Sequence, residues 1–288
     1  MPLCNATLAI IKKIKTYMKR IGLTLGSGGA KGLSHIAFIQ ALDEMGIKPS
    51  IISGTSIGAI IGAFYAAGVT GKQMQKILSR VKFRDINKMM DFSIRKNSAM
   101  LKGDGIENFF YRHIPVCFFS DLEIPLKIVA TDFWNRQEVV LDSGDLIFAM
   151  RASMSLPVIF KPVQTGSTVL MDGGMVNPLP YDIIRDQCDI LIAIDVSGEK
   201  TPRQHANMPR MVESIMSSFQ IMQASIVQNK MKTSSPDIYI KPMLRNIRVL
   251  NFDKYEEIIS GVKDDVRRFQ MELDQILSKN KIFSLFGK

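Results

Sequence analysis

The chain has 288 residues and a mass of 32.3 kDa, with 46% hydrophobic and 22% charged residues. These values exclude intrinsic disorder and a coiled coil and fit one large domain with helical elaborations. The net charge of +10 would suit nucleic acid, but residues 1–20 hold +5 and residues 279–288 hold +3, leaving +2 on a nearly neutral body and no nucleic-acid partner to expect.

In chain order, residues 6–20 set Ile10, Ile11, Ile14, Tyr17 and Met18 on one side of a helix, with Lys12, Lys13, Lys15, Lys19 and Arg20 around the rest. The apolar residues precede the lysines, the reverse of a secretory leader, so no signal peptide is expected. Ile21 to Leu25 reads as a strand that breaks into Gly26-Ser27-Gly28-Gly29-Ala30-Lys31-Gly32, after which Ile36, Ile39 and Leu42 trace a helix that stops at Gly46. Ile51 and Ile52 open a second strand, Gly54 to Gly58 make a tight turn, and Ala59 to Ala67 suit a buried helix. The longest near-apolar run, Ile57 to Val69, is shorter than the roughly 18 residues of a membrane span.

Val81 to Ile114 is mixed and mostly helical and reads as a cap. Leu126 to Thr131 and Glu138 to Leu141 are strands flanking a turn at Asn135-Arg136, and Leu146 to Ala152 is helical. Thr168 to Met171 runs into a second glycine turn, Asp172-Gly173-Gly174, and Ile190 to Val196 has the continuous apolar character of a central strand. Met211 to Met231 and Tyr255 to Leu277 are long helices. In the first, Met211, Ile215, Met222 and Ile226 share a face that reads as core or groove wall. Trp134 is expected against the sheet or at the rim of a site. The repeated alternation of strand, turn and helix predicts an α/β fold of three layers around a mixed, mainly parallel sheet of at least five strands. Residues 1–20 are expected to form a basic amphipathic helix, 21–200 the main α/β domain, and 201–288 a helical extension packed on it.

Gly54-Thr55-Ser56-Ile57-Gly58 is a GxSxG between a strand and a helix, the context of a nucleophile elbow that lifts the Ser56 hydroxyl above the sheet. The bland alternative is a glycine turn with a serine helix cap. A histidine base would be His113, with Asp85, Asp91, Asp104 or Glu107 as its acid, or His205 in a polar loop. Asp172, entering a glycine turn after an apolar strand, is the better base, unless it only stabilises its turn. The Gly26 to Gly32 loop matches neither a Walker A nor a GxGxxG pattern, which opposes a nucleotide-binding module. Its Gly28 and Gly29 amides, with that of Ile57, suit an oxyanion hole. Cys4, Cys117 and Cys188 are far apart without a CxxC, so neither disulfide nor zinc site is expected, and a reducing compartment fits.

Together the glycine loop, the GxSxG, Ala152-Ser153-Met154-Ser155-Leu156-Pro157 ending at Phe160, and Asp172-Gly173-Gly174 running into Val176-Asn177-Pro178 resemble the patatin-like phospholipase family, most of all its small bacterial members. The four motifs span residues 22 to about 196 in the family's order, with Lys31 where other members often carry arginine. The resemblance implies a Ser-Asp dyad of Ser56 as nucleophile and Asp172 as base. It also implies hydrolysis of lipid or phospholipid acyl esters without metal or cofactor. A non-catalytic lipid-binding or regulatory protein of the same fold is the rival reading, opposed by the intact Ser56 and Asp172. The basic segment 6–20 and the tail Lys281 to Phe286 would either pack on the domain or give peripheral contact with an anionic membrane, at the inner face of a cytoplasmic membrane. The pattern carries no signal for an oligomeric state.

Overall fold

A computed structural model describes residues 19–80, 104–198, 208–209 and 211–286, with residues 212 and 280–286 described by their backbone. Residues 6–18 of the expected helix, the cap from 81 to 103, His205, Cys4 and the side chains of the tail lie outside these residues, while Lys19 and Arg20, the end of that expected helix, are described and not helical.

The strands are β1 (Ile21–Leu25), β2 (Ile51–Thr55), β3 (Leu126–Asp132), β4 (Gln137–Leu141), β5 (Val163–Thr165), β6 (Thr168–Asp172), β7 (Ile190–Ile194) and β8 (Ile238–Ile240). All eight belong to one sheet. Its parallel core runs β8, β7, β1, β2, β3, while β4 and β6 each pair antiparallel with β3 and β5 pairs antiparallel with β6. The short strands β5 and β8 are absent from the sequence reading because three residues are too few to show an alternation.

Period-two alternation assigns the two faces. Leu23, Leu25, Ile192 and Ile194 enter the large core, whereas Leu191 and Ala193 enter a second core with Tyr181 and Ile184. The large core is closed by α1 (His35–Glu44), α2 (Ile57–Ala66), α3 (Gly71–Arg80), α4 (Asp104–His113) and α5 (Leu146–Ser153), followed by the C-terminal pair α7 (Tyr255–Gly261) and α8 (Lys263–Phe286). The other face is covered by residues 179–188 and by α6 (Met211–Thr233). On that face Gly22, Thr24 and Ser53 are small or polar because the covering chain approaches closely, as Cys188 Sγ does at Gly22. Thr24 Oγ1 donates to Ser53 Oγ at 2.8 Å, and Ser53 Oγ donates to the Pro180 carbonyl at 2.9 Å. These bonds satisfy groups that would otherwise be buried without partners.

The long C-terminal helical pattern is interrupted at Val262, yet the expected face holds. Ile258, Val262, Phe269 and Leu273 are fully buried, with Phe269 edge-on to Phe38 of α1. The expectation for α6 is corrected. Met211 and Met222 are 77% and 56% exposed, since the helix seats instead on Gln223, Val227 and Lys230. Trp134 does not pack against the sheet; it is 71% exposed on the β3–β4 turn, edge-on to Phe133. Cys117 and Cys188 are free thiols. No helix among the described residues is long and apolar enough to cross a membrane.

The turn from β2 into α2 depends on close backbone approach. A Cβ on Gly58 would overlap the Leu25 carbonyl of β1, and one on Gly54 would come within 2.6 Å of the Gly58 carbonyl oxygen. Gly58→Ala is therefore expected to destabilise the fold by about 1–3 kcal/mol, read from the urea midpoint at unchanged slope. Gly46→Ala serves as the control, since it adds a Cβ in open space and costs only the strain of a positive φ.

Candidate active site

The site lies where β2 and β6 end on the same edge of β3. Over Ile128 and Val129, β3 pairs with β2 and β4; over Ala130 to Asp132 it pairs with β6 and β4. With β4 on one edge throughout, β2 and β6 must share the other edge, end to end. Thr55 is registered with Val129 and Asp172 with Ala130, so the two chain ends meet on consecutive positions of β3.

Ser56 follows Thr55 with φ 57° and ψ −122°, a conformation that costs a non-glycine residue on the order of 1–3 kcal/mol. The elbow is held by Ser153, whose hydroxyl accepts the Ser56 N–H at 2.8 Å and donates to the Val129 carbonyl at 2.7 Å. The Ser56 hydroxyl donates to Asp172 Oδ2 at 2.7 Å. Asp172 Oδ1 accepts the Gly174 N–H at 2.7 Å, so the turn-stabilising role considered for Asp172 coexists with its bond to Ser56. Its backbone is fixed by its own N–H to the Ser155 carbonyl at 3.1 Å and by the Thr131 hydroxyl on its carbonyl at 2.8 Å. Asp172 is 1% exposed, and this burial pushes its carboxyl up to about 6 against the lowering effect of the Ser56 and Gly174 hydrogen bonds.

Beside the elbow, the glycine loop is fixed at several points. Gly26 N–H donates to Ile194 O at 3.0 Å, Ser27 N–H to Pro178 O at 2.8 Å, and Ala30 N–H to Val249 O at 2.8 Å. His35, fully buried, holds the Gly26 carbonyl at 2.9 Å. Because a carbonyl only accepts, Nε2 carries the proton, and burial lowers the ring to about 4, so His35 is a neutral structural donor at pH 7. The Lys31 ammonium donates to the Ser197 carbonyl, and Gly32 packs against Ile57. Among the described residues, the amides of Gly28, Gly29 and Ile57 donate to no protein acceptor, and Gly29 takes φ 57°. Ile57 follows Ser56 at the N-terminus of α2, and Gly29 lines the same cavity as Ser56.

Ser56 and Gly29 line an apolar cavity of about 250 Å³ together with Leu33, Ile36, Ile60, Phe109, Leu156 and Phe160. The described part of the expected cap, α4, thus forms cavity wall through Ile106, Phe109 and Phe110.

Among the described residues the His113 alternative is not assembled, and His205, Asp85 and Asp91 lie outside them. His113 lies exposed at the end of α4 against the Phe109 ring at 4.5 Å, and the Ser56 hydroxyl bonds Asp172. Glu107, weighed as an acid partner for His113, pairs with buried Arg151 at 3.4 Å. Arg151 also donates to Ser155 Oγ at 2.7 Å and lies over the Phe160 ring at 5.5 Å. Sequence reading assigned no role to His35, Ser153, Gln223 or Val249. Ser153 stood inside a quoted motif, while Val249 acts through its backbone carbonyl and leaves no side-chain signal.

The Asp172 shift fixes a sign. A carboxyl raised from 3.8 in the unfolded chain to about 6 in the fold stabilises the fold below pH 3.8, and that contribution is lost as pH rises through about 6. Asp172→Asn is therefore expected to raise the thermal midpoint at pH 8 relative to the unsubstituted protein, with the gain shrinking below about pH 6. Scanning calorimetry at pH 5 and pH 8 checks it.

Three comparisons bear on the fold and site. A family model described as patatin-like phospholipase matches residues 23–184, which hold the glycine loop, Ser56 and Asp172. The lysophospholipase NTE1 of Kluyveromyces lactis is 29% identical over 266 residues, covering 83% of this chain and 18% of its own length. An uncharacterized NTE family protein of Mycobacterium bovis is 33% identical over 71% of this chain and 59% of its own. This chain therefore spans less than a fifth of the NTE1 relative and about three fifths of the mycobacterial one. The crystal structure of VipD from Legionella pneumophila matches the fold with a TM-score of 0.52 at 16% identity, over 88% of this chain and 67% of that one. The matched residues run from β1, through the elbow and the Asp-Gly-Gly turn, to the first cover of the second sheet face, and on that evidence the chain belongs to the patatin-like phospholipase family.

Proposed function

We propose that the protein hydrolyses carboxylic esters of lipids, phospholipids or lysophospholipids among them, through a Ser56–Asp172 dyad and an acyl-enzyme. The observation that carries this reading is the 2.7 Å hydrogen bond to a buried carboxylate from the hydroxyl of Ser56, which lines an apolar cavity suited to an acyl chain. Family membership and the name of the lysophospholipase relatives support the substrate class.

Ser56 Oγ attacks the ester carbonyl carbon while its proton passes to Asp172 Oδ2. The carbonyl electron pair moves onto oxygen, and the resulting oxyanion is met by the Gly28, Gly29 and Ile57 amides. Collapse breaks the bond to the leaving alcohol, which takes the proton back from Asp172 and leaves the acyl group on Ser56. Asp172 then deprotonates a water that attacks the acyl carbonyl. The fatty acid departs and the proton returns to Ser56. A carboxyl near 6 is a stronger base than an ordinary aspartate and is still ionised at neutral pH, which suits both half-reactions. Substrate held in a bilayer would be met at the membrane surface, and Lys12, Lys13, Lys15 and Lys19 would each contribute about 1 kcal/mol beside an anionic leaflet.

Ser56→Ala and Asp172→Asn are each expected to lower kcat on a short-chain nitrophenyl ester by roughly 10⁴-fold or more, with Ser56→Ala also abolishing fluorophosphonate labelling. For the unsubstituted enzyme, log kcat/KM should fall with unit slope below about pH 6, because protonated Asp172 cannot accept the serine proton. A pH–rate profile checks this. Labelling of the Ser56→Ala variant, or a profile flat to pH 4, refutes the dyad.

A further inference from the structure

α6 lies beyond the residues matched by the family model, yet it sends one buried amide to the site. Gln223 is 7% exposed, and its Nε2 donates at 3.3 Å to the hydroxyl of Ser27, the residue before Gly28. The same amide rests against Gly174. A Cβ on Gly174 would overlap Gln223 Nε2 and come within 2.9 Å of Asp172 Oδ1 and 3.2 Å of Ser27 Oγ. The bare backbone of Gly174 thus lets groups from the glycine loop, the Asp-Gly-Gly turn and α6 converge beside the carboxylate.

α6 is a fixed platform for this contact. Lys230, two turns after Gln223, donates to the Leu179 carbonyl at 3.1 Å, pairs with Asp182 and lies over the Tyr181 ring at 5.0 Å. It also donates to Asn177 Oδ1, and the Asn177 carbonyl accepts the Thr55 hydroxyl at 2.8 Å, which ties the helix to β2 one residue before Ser56. Ser27 is therefore held on both sides, by its backbone N–H on Pro178 O and by its side chain on Gln223. The peptide between Ser27 and Gly28 carries the Gly28 N–H, so its orientation sets where that donor points.

We infer that Gln223 is a positioning residue for the oxyanion-binding amides, acting through Ser27 to fix the Ser27–Gly28 peptide. The inference rests on the acyl hydrolase reading above. A donor aimed at charge that develops only in the transition state affects kcat more than substrate binding, so loss of its alignment lowers kcat and leaves KM near its original value.

The test uses the full chain with Gln223→Leu, which keeps most of the side-chain volume, together with Ser27→Ala and the double variant. The expected result for Gln223→Leu is a kcat on the nitrophenyl ester about 10- to 100-fold lower, with KM within about twofold of the unsubstituted enzyme. Ser27→Ala should behave alike, and the double variant should lose no more than the worse single one, since both remove one interaction. Hydrogen exchange of the peptide covering residues 26–32 should quicken in Gln223→Leu while the rest of the chain keeps its protection. An unaltered kcat, a rise in KM alone, additive losses, or unchanged exchange at 26–32 each overturns the inference. Absence of turnover and of fluorophosphonate labelling in the unsubstituted protein would overturn the hydrolase reading instead, while exchange at 26–32 still decides whether Gln223 holds the loop.

Discussion

β2 and β6 run toward each other along one edge of β3 and stop on adjacent residues, Thr55 opposite Val129 and Asp172 opposite Ala130. Sheet hydrogen bonding fixes that spacing to within a fraction of an ångström, so the hydroxyl that follows one strand and the carboxylate that ends the other arrive 2.7 Å apart. A one-residue slip of β6 would turn Asp172 to the opposite face and remove it from Ser56. Every other feature of the site either holds these two chain ends in place or exploits their meeting.

Holding them is costly, because each is in a state it would not adopt alone. Ser56 sits at positive φ, and Asp172 is a carboxylate almost wholly removed from water. The helix α5 and the residue pair Ser153 and Ser155 bear much of this load: Ser153 ties the elbow to Val129, and the Ser155 carbonyl takes the Asp172 N–H. Arg151, one turn before Ser155, joins the Ser155 hydroxyl to Glu107 on α4, which also carries Phe109 and Phe110 of the cavity wall. The Ser56–Asp172 pair and the apolar wall are thus linked through hydrogen bonds and an ion pair, and a change in α4 has a direct route to Asp172.

The C-terminal third completes the site. The Val249 carbonyl fixes the glycine loop at Ala30, Val249 to Phe252 close the cavity, and α6 brings Gln223 to Ser27. Residues 190–194 form a central strand of the sheet, and the Ile194 carbonyl takes the Gly26 N–H. The two carbonyls bind amides of the loop and leave those of Gly28 and Gly29 directed elsewhere. The unmatched part of the chain is therefore structural for the matched part.

The sequence by itself determined the architecture and singled out Ser56 and Asp172, because both are written in local patterns. Short apolar runs bounded by turns marked β1, β2, β3 and β7, the spacing from Ile258 to Leu273 marked the buried face of α7 and α8, and glycines two residues either side of Ser56 marked a turn that only a bare backbone can make. It could not show that His35 would be a buried neutral donor to Gly26 and no base, or that the apolar face of α6 would be turned to solvent while Gln223 went inward. Those outcomes depend on which surfaces come to lie against one another. The same holds for Val249, whose contribution is a carbonyl that every residue possesses. What only the tertiary structure decided was the register of β6 on β3, hence the pairing of Ser56 with Asp172 across 116 positions, and the burial that makes that carboxylate more basic. Register and burial are sums over contacts distant in the chain, and no local window of residues contains them.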